Sequence, residues 1–450
     1  MTETSKPLLE FPVVKGRLLY QENETEAQWS VVVARNGSIS LKFQPIPLTN
    51  STKWLIGPAH PNAILLPALS LSGVTPEGVS MASESVSILS FGTPDDGTGP
   101  KMQLSAEALQ LRVVYREPPA YAANLRLIYF AVGMTGHGSP SILTEAGELS
   151  IRAPSQVEEP NHITGEVILD SGNVGRATET WLTKCDELAE QVLDMISFAE
   201  GHFIRWSIRR LESDKELLVL DCNGAKPTGP AHDAVFSHLA LQPFLDLAVT
   251  RYTKELRDRT GMQVALEWFL HLPRYVELQL LSAASALEHL VAIFYKKHPE
   301  PKLVDSVKFK ELRKEIDKIW SAIFDKPPTT SCADQNRLKQ SIGSANRGSL
   351  TDKLLNMLTA YKVPIEGLEE KIKKAIKARN RTVHEGLYRS EVRGEIYEHV
   401  MVLRELLKRI FLTLLQYSGT YQSSLDGMAW KDFPPKNSNT TVSGDAVEIP

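Results

Sequence analysis

Up to about residue 175 the apolar positions recur mostly at every second residue, in short runs: GRLLY, WSVVVAR, SISLKFQ, AILLPALSL, VSILSF, MQLSAEALQLRVVY, NLRLIYFAV, ELSIRA and GEVILD. A period of two belongs to a half-buried strand, and the runs are separated by turn chemistry such as Asn36-Gly37-Ser38 and the TPDDGTGP that begins at Thr93. The pattern predicts a β sandwich or barrel. A helical stretch follows over 178–199. Two further β runs, HFIRWSIRRL and KELLVLDC, joined by Ser213-Asp214-Lys215, predict a hairpin that returns to the sheet.

From about Ala234 the period lengthens to that of a helix and stays so. The helical windows are Ala234 to Leu256, Gln263 to Leu272, Arg274 to Lys297, Ser306 to Phe324, Leu350 to Tyr361, Leu368 to His384 and Glu391 to Ser418. Ser349 with Asp352 three residues on has the form of a capping box for the helix that begins SLTDKLL. The chain therefore reads as α+β and multidomain: a β-rich domain with some helices over 1–255, an all-α bundle over 256–422, and a tail over 423–450. The tail is rich in Pro, Ser and Asn without periodicity, and is expected to be disordered.

Composition adds little to this, with 42% hydrophobic and 23% charged residues as in an ordinary folded protein. The charge distribution adds more. Of the 50 Lys and Arg and 54 Asp and Glu, the stretch 271–420 holds 26 and 18, a balance of +8, which leaves 24 and 36, a balance of −12, for the remainder. A basic carboxyl-terminal module suits a polyanionic partner. The three cysteines, Cys185, Cys222 and Cys332, have no disulfide or zinc spacing and read as reduced structural residues. His232, His238, His271, His289 and His298 likewise show no ligand pattern. The opening MTETSKPLLEFPVVKG is unlike a signal peptide, and no apolar run approaches the roughly 18 residues that cross a bilayer, so a cytoplasmic location without membrane partners is expected.

One stretch breaks its own pattern. On a helical wheel of IKARNRTVHEGL and the turn before it, Ile372, Ala375, Ile376, Val383 and Leu387 form one apolar stripe, and Arg379 falls in the middle of it. A guanidinium there has to snorkel outward, pair with a buried carboxylate such as Glu288, or face a partner, because burying an unpaired ion costs several kcal/mol. Asn380 and His384 lie one turn apart beside it, with Lys373 and Lys377 on the same flank. A fixed cation, a group that titrates near neutral pH, an amide and further cations suit a phosphodiester.

The set Arg379-Asn380-Arg381-Thr382-Val383-His384 near the end of a helix resembles the Rx4-6H motif of the HEPN superfamily of helical bundles. The helix ELQLLSAASALEHLVAIFY, which carries Glu288, is similar to the first main helix of ApeA-type HEPN domains, in which a β-rich domain precedes the bundle. The resemblance implies a metal-independent endoribonuclease that acts in anti-phage defence by abortive infection. It also implies a homodimer with a composite active site, which would give Arg379 a partner to face. In such a reaction Arg379 would hold the phosphate, His384 would transfer a proton or orient the 2′-hydroxyl, and Asn380 would position either of them. Glu288 has a supporting role open to it, and Lys373, Lys377 and Arg381 a modest one in attracting RNA. No metal or cofactor is called for. The implied partners are RNA, tRNA among the candidates, a second copy of the chain, and a phage-derived trigger sensed by the β domain. The alternative is a non-catalytic module of the same kind that binds RNA or a nucleotide, or only dimerises.

Overall fold

A computed structural model describes residues 7–34, 37–47, 49, 52, 69–92, 101–134, 141–153, 163–223, 234–300, 304–324, 348–385, 393–425 and 427–435, with the backbone alone at 91, 92, 238, 239, 306, 320–324, 384, 385 and 393. The turn at Asn36, the TPDDGTGP turn, His232, Cys332 and Leu387 lie outside the described residues. The chain divides into two compact units, Met1–Thr250 and Arg251–Pro450. The amino-terminal unit is β-rich and the second is mostly helical, an α+β multidomain layout.

The amino-terminal strands are β1 (Leu9–Tyr20), β2 (Asn23–Val33), β3 (Ile39–Phe43), β4 (Ile46–Pro47), β5 (Leu69–Val74), β6 (Ser80–Gly92), β7 (Lys101–Ala108) and β8 (Gln110–Val114). There follow β9 (Tyr121–Ala122), β10 (Leu125–Val132), β11 (Ser141–Thr144), β12 (Gly147–Arg152), β13 (Ile163–Asp170), β14 (Arg176–Ala177), helix α1 (Thr178–Glu200), and the hairpin β15 (Arg205–Ser213) and β16 (Glu216–Asn223). Alternation does what the sequence predicts. In β7, Met102, Leu104, Ala106 and Ala108 turn inward while the residues between them stay half-buried. Six strands close into a barrel, β1 pairing with β2, β2 with β3, β3 with β7, β7 with β6, β6 with β5, and β5 with β1. Val14, Leu18, Trp29, Val31, Leu41, Phe43, Leu71 and Leu104 fill it. The ladder then continues from β6 through β8, β16, β15, β10, β13 and β12 to β11.

Helix α1 covers part of this second sheet. It buries Trp181, Cys185, Val192 and Ile196, and it ends where Gly201 adopts a left-handed φ of 72°. Its Asp186 meets a polar network: Arg209 of β15 donates to both Asp186 oxygens at 2.6 Å and to Asp221 of β16, and the Tyr129 hydroxyl donates to Asp186 at 2.5 Å. Burial, and then the neighbouring Asp186 carboxylate, push the Tyr129 phenol far above its ordinary range. Cys185 and Cys222 are free and buried, and burial pushes the Cys222 thiol up to about 12, so both are inert structural groups.

The helices that follow are α2 (His238–Arg251), α3 (Lys254–Thr260), α4 (Met262–Leu270), α5 (Val276–Phe294), α6 (Ser306–Phe324), α7 (Leu350–Ala360), α8 (Glu369–Glu385) and α9 (Arg393–Leu414). The single helix expected over 234–256 is two, because Thr253 turns extended and caps α3 by accepting from the Leu256 amide. The reading that no run is long and apolar enough to cross a membrane needs correcting. By length and composition α5 is, but half of that window is buried and it packs against α4, α7, α8 and α9. The capping box at α7 is present, with Ser349 and Asp352 each holding the other's backbone amide. Replacing Ser349 with alanine is expected to cost about 1 kcal/mol, read as a lower urea midpoint. An unchanged midpoint would mean that Asp352 alone sustains the cap.

The tail read as disordered after residue 422 is in part folded. β17 (Gly419–Gln422) and β18 (Trp430–Phe433) form a hairpin that buries Tyr421 and Phe433 in edge-to-face contact. It is held by α9, on which Arg404, Glu405, Lys408 and Arg409 are all buried. Glu405 accepts from the Tyr421 hydroxyl at 2.6 Å, the Ser423 hydroxyl at 3.0 Å, the Ser424 amide at 2.8 Å and Arg409 Nε at 2.8 Å. Lys408 donates to the Gln422 carbonyl. Polar residues that look like a loop are thus ordered by charges a helix supplies. Residues 436–450 lie outside the described residues.

Candidate active site

Helix α8 begins just after Gly367, whose φ is 76°, and carries Glu369 and Glu370 in its first turn, where carboxylates complement the helix dipole. Its inward face is Ile372, Ala375, Ile376, Ala378 and Thr382. The stripe expected to pass through Val383 passes through Thr382 instead, and Val383 is 50% exposed. A threonine can be buried there because its hydroxyl donates to the Ala378 carbonyl one turn back, at 3.1 Å.

Arg379 lies at the border of this face, its side chain 23% exposed. Its charge is met within the chain: Nη2 forms an ion pair with Oε1 of Glu288 on α5, and Nη1 donates to Oδ1 of Asn380 at 3.1 Å. Of the alternatives open for this arginine in the sequence, pairing with Glu288 is the one observed. A second copy of the chain is not needed to neutralise it. The pairing brings together three of the sequence-derived site residues, Arg379, Asn380 and Glu288, across two helices. It holds the guanidinium at a partly open surface, where its remaining N–H groups have no partner among the described residues and can meet an anion.

The fourth residue, His384, is in the last turn of α8, and its side chain lies outside the described residues. Lys373, Lys377 and Arg381 are exposed. Lys373 is paired with Glu370 at 2.6 Å, which raises its pKa and lowers that of Glu370, so it contributes less free positive charge than its position suggests. Lys377 and Arg381 remain as exposed cations on the outer flank of the helix.

Two histidines bear on the neighbourhood. His289 follows Glu288 in the chain and packs against Gly261, where a Cβ would stand 2.8 Å from its Nε2; burial, then Lys296, lower its pKa. It is a packing residue. His399 on α9 is half-buried, and burial lowers its pKa with the help of Lys374 from α8, while Glu395 and Glu398 act the other way. The sequence did not single it out, and its only local signal is its place among those carboxylates. Among the described residues no three His, Cys, Asp or Glu side chains form a group that could hold a metal. No family model, curated protein or solved structure matches the chain.

Proposed function

We propose that the chain is a HEPN-type, metal-independent endoribonuclease that cuts RNA through its own 2′-hydroxyl, with the helical unit as a HEPN bundle and Arg379, Asn380 and His384 as its reacting set. The observation that carries this reading is the guanidinium of Arg379, fixed by Glu288 and Asn380 at a partly open surface five residues before His384 on one helix. Arg379 binds the scissile phosphate and stabilises the charge that grows on it in the transition state. His384 moves the proton of the attacking hydroxyl or of the leaving 5′-oxygen. Glu288 is a positioning residue, acting through Arg379. The products are a 2′,3′-cyclic phosphate and a 5′-hydroxyl. Abortive defence against phage, pairing of two chains around the site, and a phage-derived trigger acting on the β-rich unit belong to this proposal through the resemblance of the motif.

The test is incubation of the full chain with tRNA and with single-stranded DNA in EDTA, followed by analysis of the product ends. RNA-only cleavage that leaves cyclic phosphate is the expected result. Cleavage that needs a divalent metal, or that extends to DNA, would overturn the mechanism. RNA binding without cleavage in the presence of phage lysate would favour the non-catalytic module, in which the Arg379–Glu288 pair is only structural.

A further inference from the structure

Strand β6 belongs to both parts of the sheet: its Ser80–Ala82 segment pairs with β8, and its Val86–Gly92 segment pairs with β7. Where the ladder divides, the outer surface is concave, with a volume of about 470 Å3. The residues that line it fall into two registered rows across four strands. Arg112 stands opposite Ala82, Ala82 opposite Ser72, and Ser72 opposite Arg17; in the second row Val114, Ser80, Val74 and Lys15 are aligned in the same way. With strands about 4.8 Å apart, Arg17 and Arg112 rise about 14 Å from each other across a floor whose side chains end in a hydroxyl or a methyl.

The floor is rigid. Gly16 and Gly73 face each other in register between β1 and β5; a Cβ on Gly16 would lie 2.0 Å from the Ser72 carbonyl oxygen, and one on Gly73 would lie 2.7 Å from the Trp29 ring. The two strands therefore lie tight on a buried indole. The rim is cationic with carboxylates behind it, Glu26 of β2 standing opposite Arg17 and Asp221 of β16 opposite Arg112 in the register. Arg17 pairs with Glu24 at 2.9 Å and Arg112 with Asp221 at 3.8 Å, both pairs at the outer edges. The Arg17 and Arg112 side chains are 63% and 54% exposed, so neither pair contributes more than about 1 kcal/mol. Glu84, one outward position beyond Ala82 on β6, is outside the lining. No aromatic residue lines the trough, so it offers nothing for a base to stack on and several groups for an anion to bind.

We propose that this trough binds a compact polyphosphate, free or carried on a small organic molecule, which Arg17 and Lys15 grip from one wall and Arg112 from the other, with the Ser72 and Ser80 hydroxyls donating from the floor. The volume is within the range of small-ligand sites. Arginine forks on opposite walls suit two phosphoryl groups of one molecule. The inference rests on the β-rich unit alone and stands apart from the reading of the helical site.

The test is calorimetric titration of the full chain with pyrophosphate, ATP and a nine-nucleotide uridine oligomer in low salt, with polyglutamate as a competitor. The variants are Arg17→Gln with Arg112→Gln together, and Ala82→Trp, which fills the trough and leaves its charges in place. Binding of pyrophosphate, of ATP or of both that weakens about tenfold or more in both variants is the expected result. Circular dichroism melts of the variants would establish that they are folded. Failure of both small phosphates to bind, binding that neither variant weakens, or equal competition by polyglutamate would overturn the proposal. Binding of the oligomer alone would overturn it in favour of a nucleic-acid track.

Discussion

Replacing Arg379 with alanine is expected to lower the rate of RNA cleavage by about 100-fold or more while the chain stays folded. The size of the effect follows from the role: a donor aimed at charge that develops in the transition state is worth more there than in the ground state, so kcat falls and the apparent KM moves little. The mildness of the structural effect follows from geometry. The Arg379 and Glu288 side chains are 23% and 33% exposed, so a lone Glu288 is rehydrated and the loss is on the order of 1 kcal/mol. Arg379→Lys keeps the charge but not the planar fork, and is expected to fall between the two. Glu288→Gln separates support from competition. A slower reaction would mean that Glu288 aims the guanidinium; a faster one would mean that it withholds it from the phosphate. If Arg379→Ala cleaves RNA as the parent chain does, the reading of this helix as a ribonuclease site is wrong.

Replacing Glu405 with alanine is expected to give the largest loss of stability, about 3–5 kcal/mol. Its carboxylate is fully buried and accepts four hydrogen bonds, three of them from the hairpin β17–β18. Without it Arg409 keeps a bond to the Pro364 carbonyl but becomes a buried charge without its carboxylate, and the hairpin loses its main anchor. The urea midpoint should fall and amide exchange over 419–433 should rise to that of an open segment. Tyr421→Phe, which deletes a single one of these bonds, should cost about 1 kcal/mol. A Glu405→Ala protein within 1 kcal/mol of the parent would mean that Phe433 and Tyr421 hold the hairpin by apolar contact alone.

The residues that were easiest to read are those whose surroundings repeat locally. The strict alternation of β7 and the cap at Ser349 are set by side chains within a few positions of each other, and the sequence displays both. The hairpin at 419–433 was hidden because what orders it is 14 to 19 residues away on α9, in the buried side chains of Glu405 and Lys408, charges that a helical pattern assigns to water. The break at Thr253 was hidden because apolar residues continue across it. At the candidate site, Arg379 was legible as an anomaly because it interrupts a stripe. Its choice between Glu288, solvent and a second chain was not legible, since helical spacing says which face a residue occupies and nothing about what stands opposite. The turn of the buried face toward Thr382 was missed for a similar reason: a threonine that bonds its own helix counts as apolar, and the pattern scored it as polar.

The fork at β6 also sets the order in which the chain can finish folding. The barrel can close once β7 has been made at Ala108, but β8 then presents an open edge until its partner β16 arrives, more than a hundred residues later at Glu216–Asn223. Pairings of such long separation form slowly, and an uncovered strand edge invites pairing with a neighbouring chain. During synthesis the amino-terminal unit therefore passes through a stage in which a finished barrel carries an unfinished sheet, and the growing chain is most exposed to misassembly between those two events.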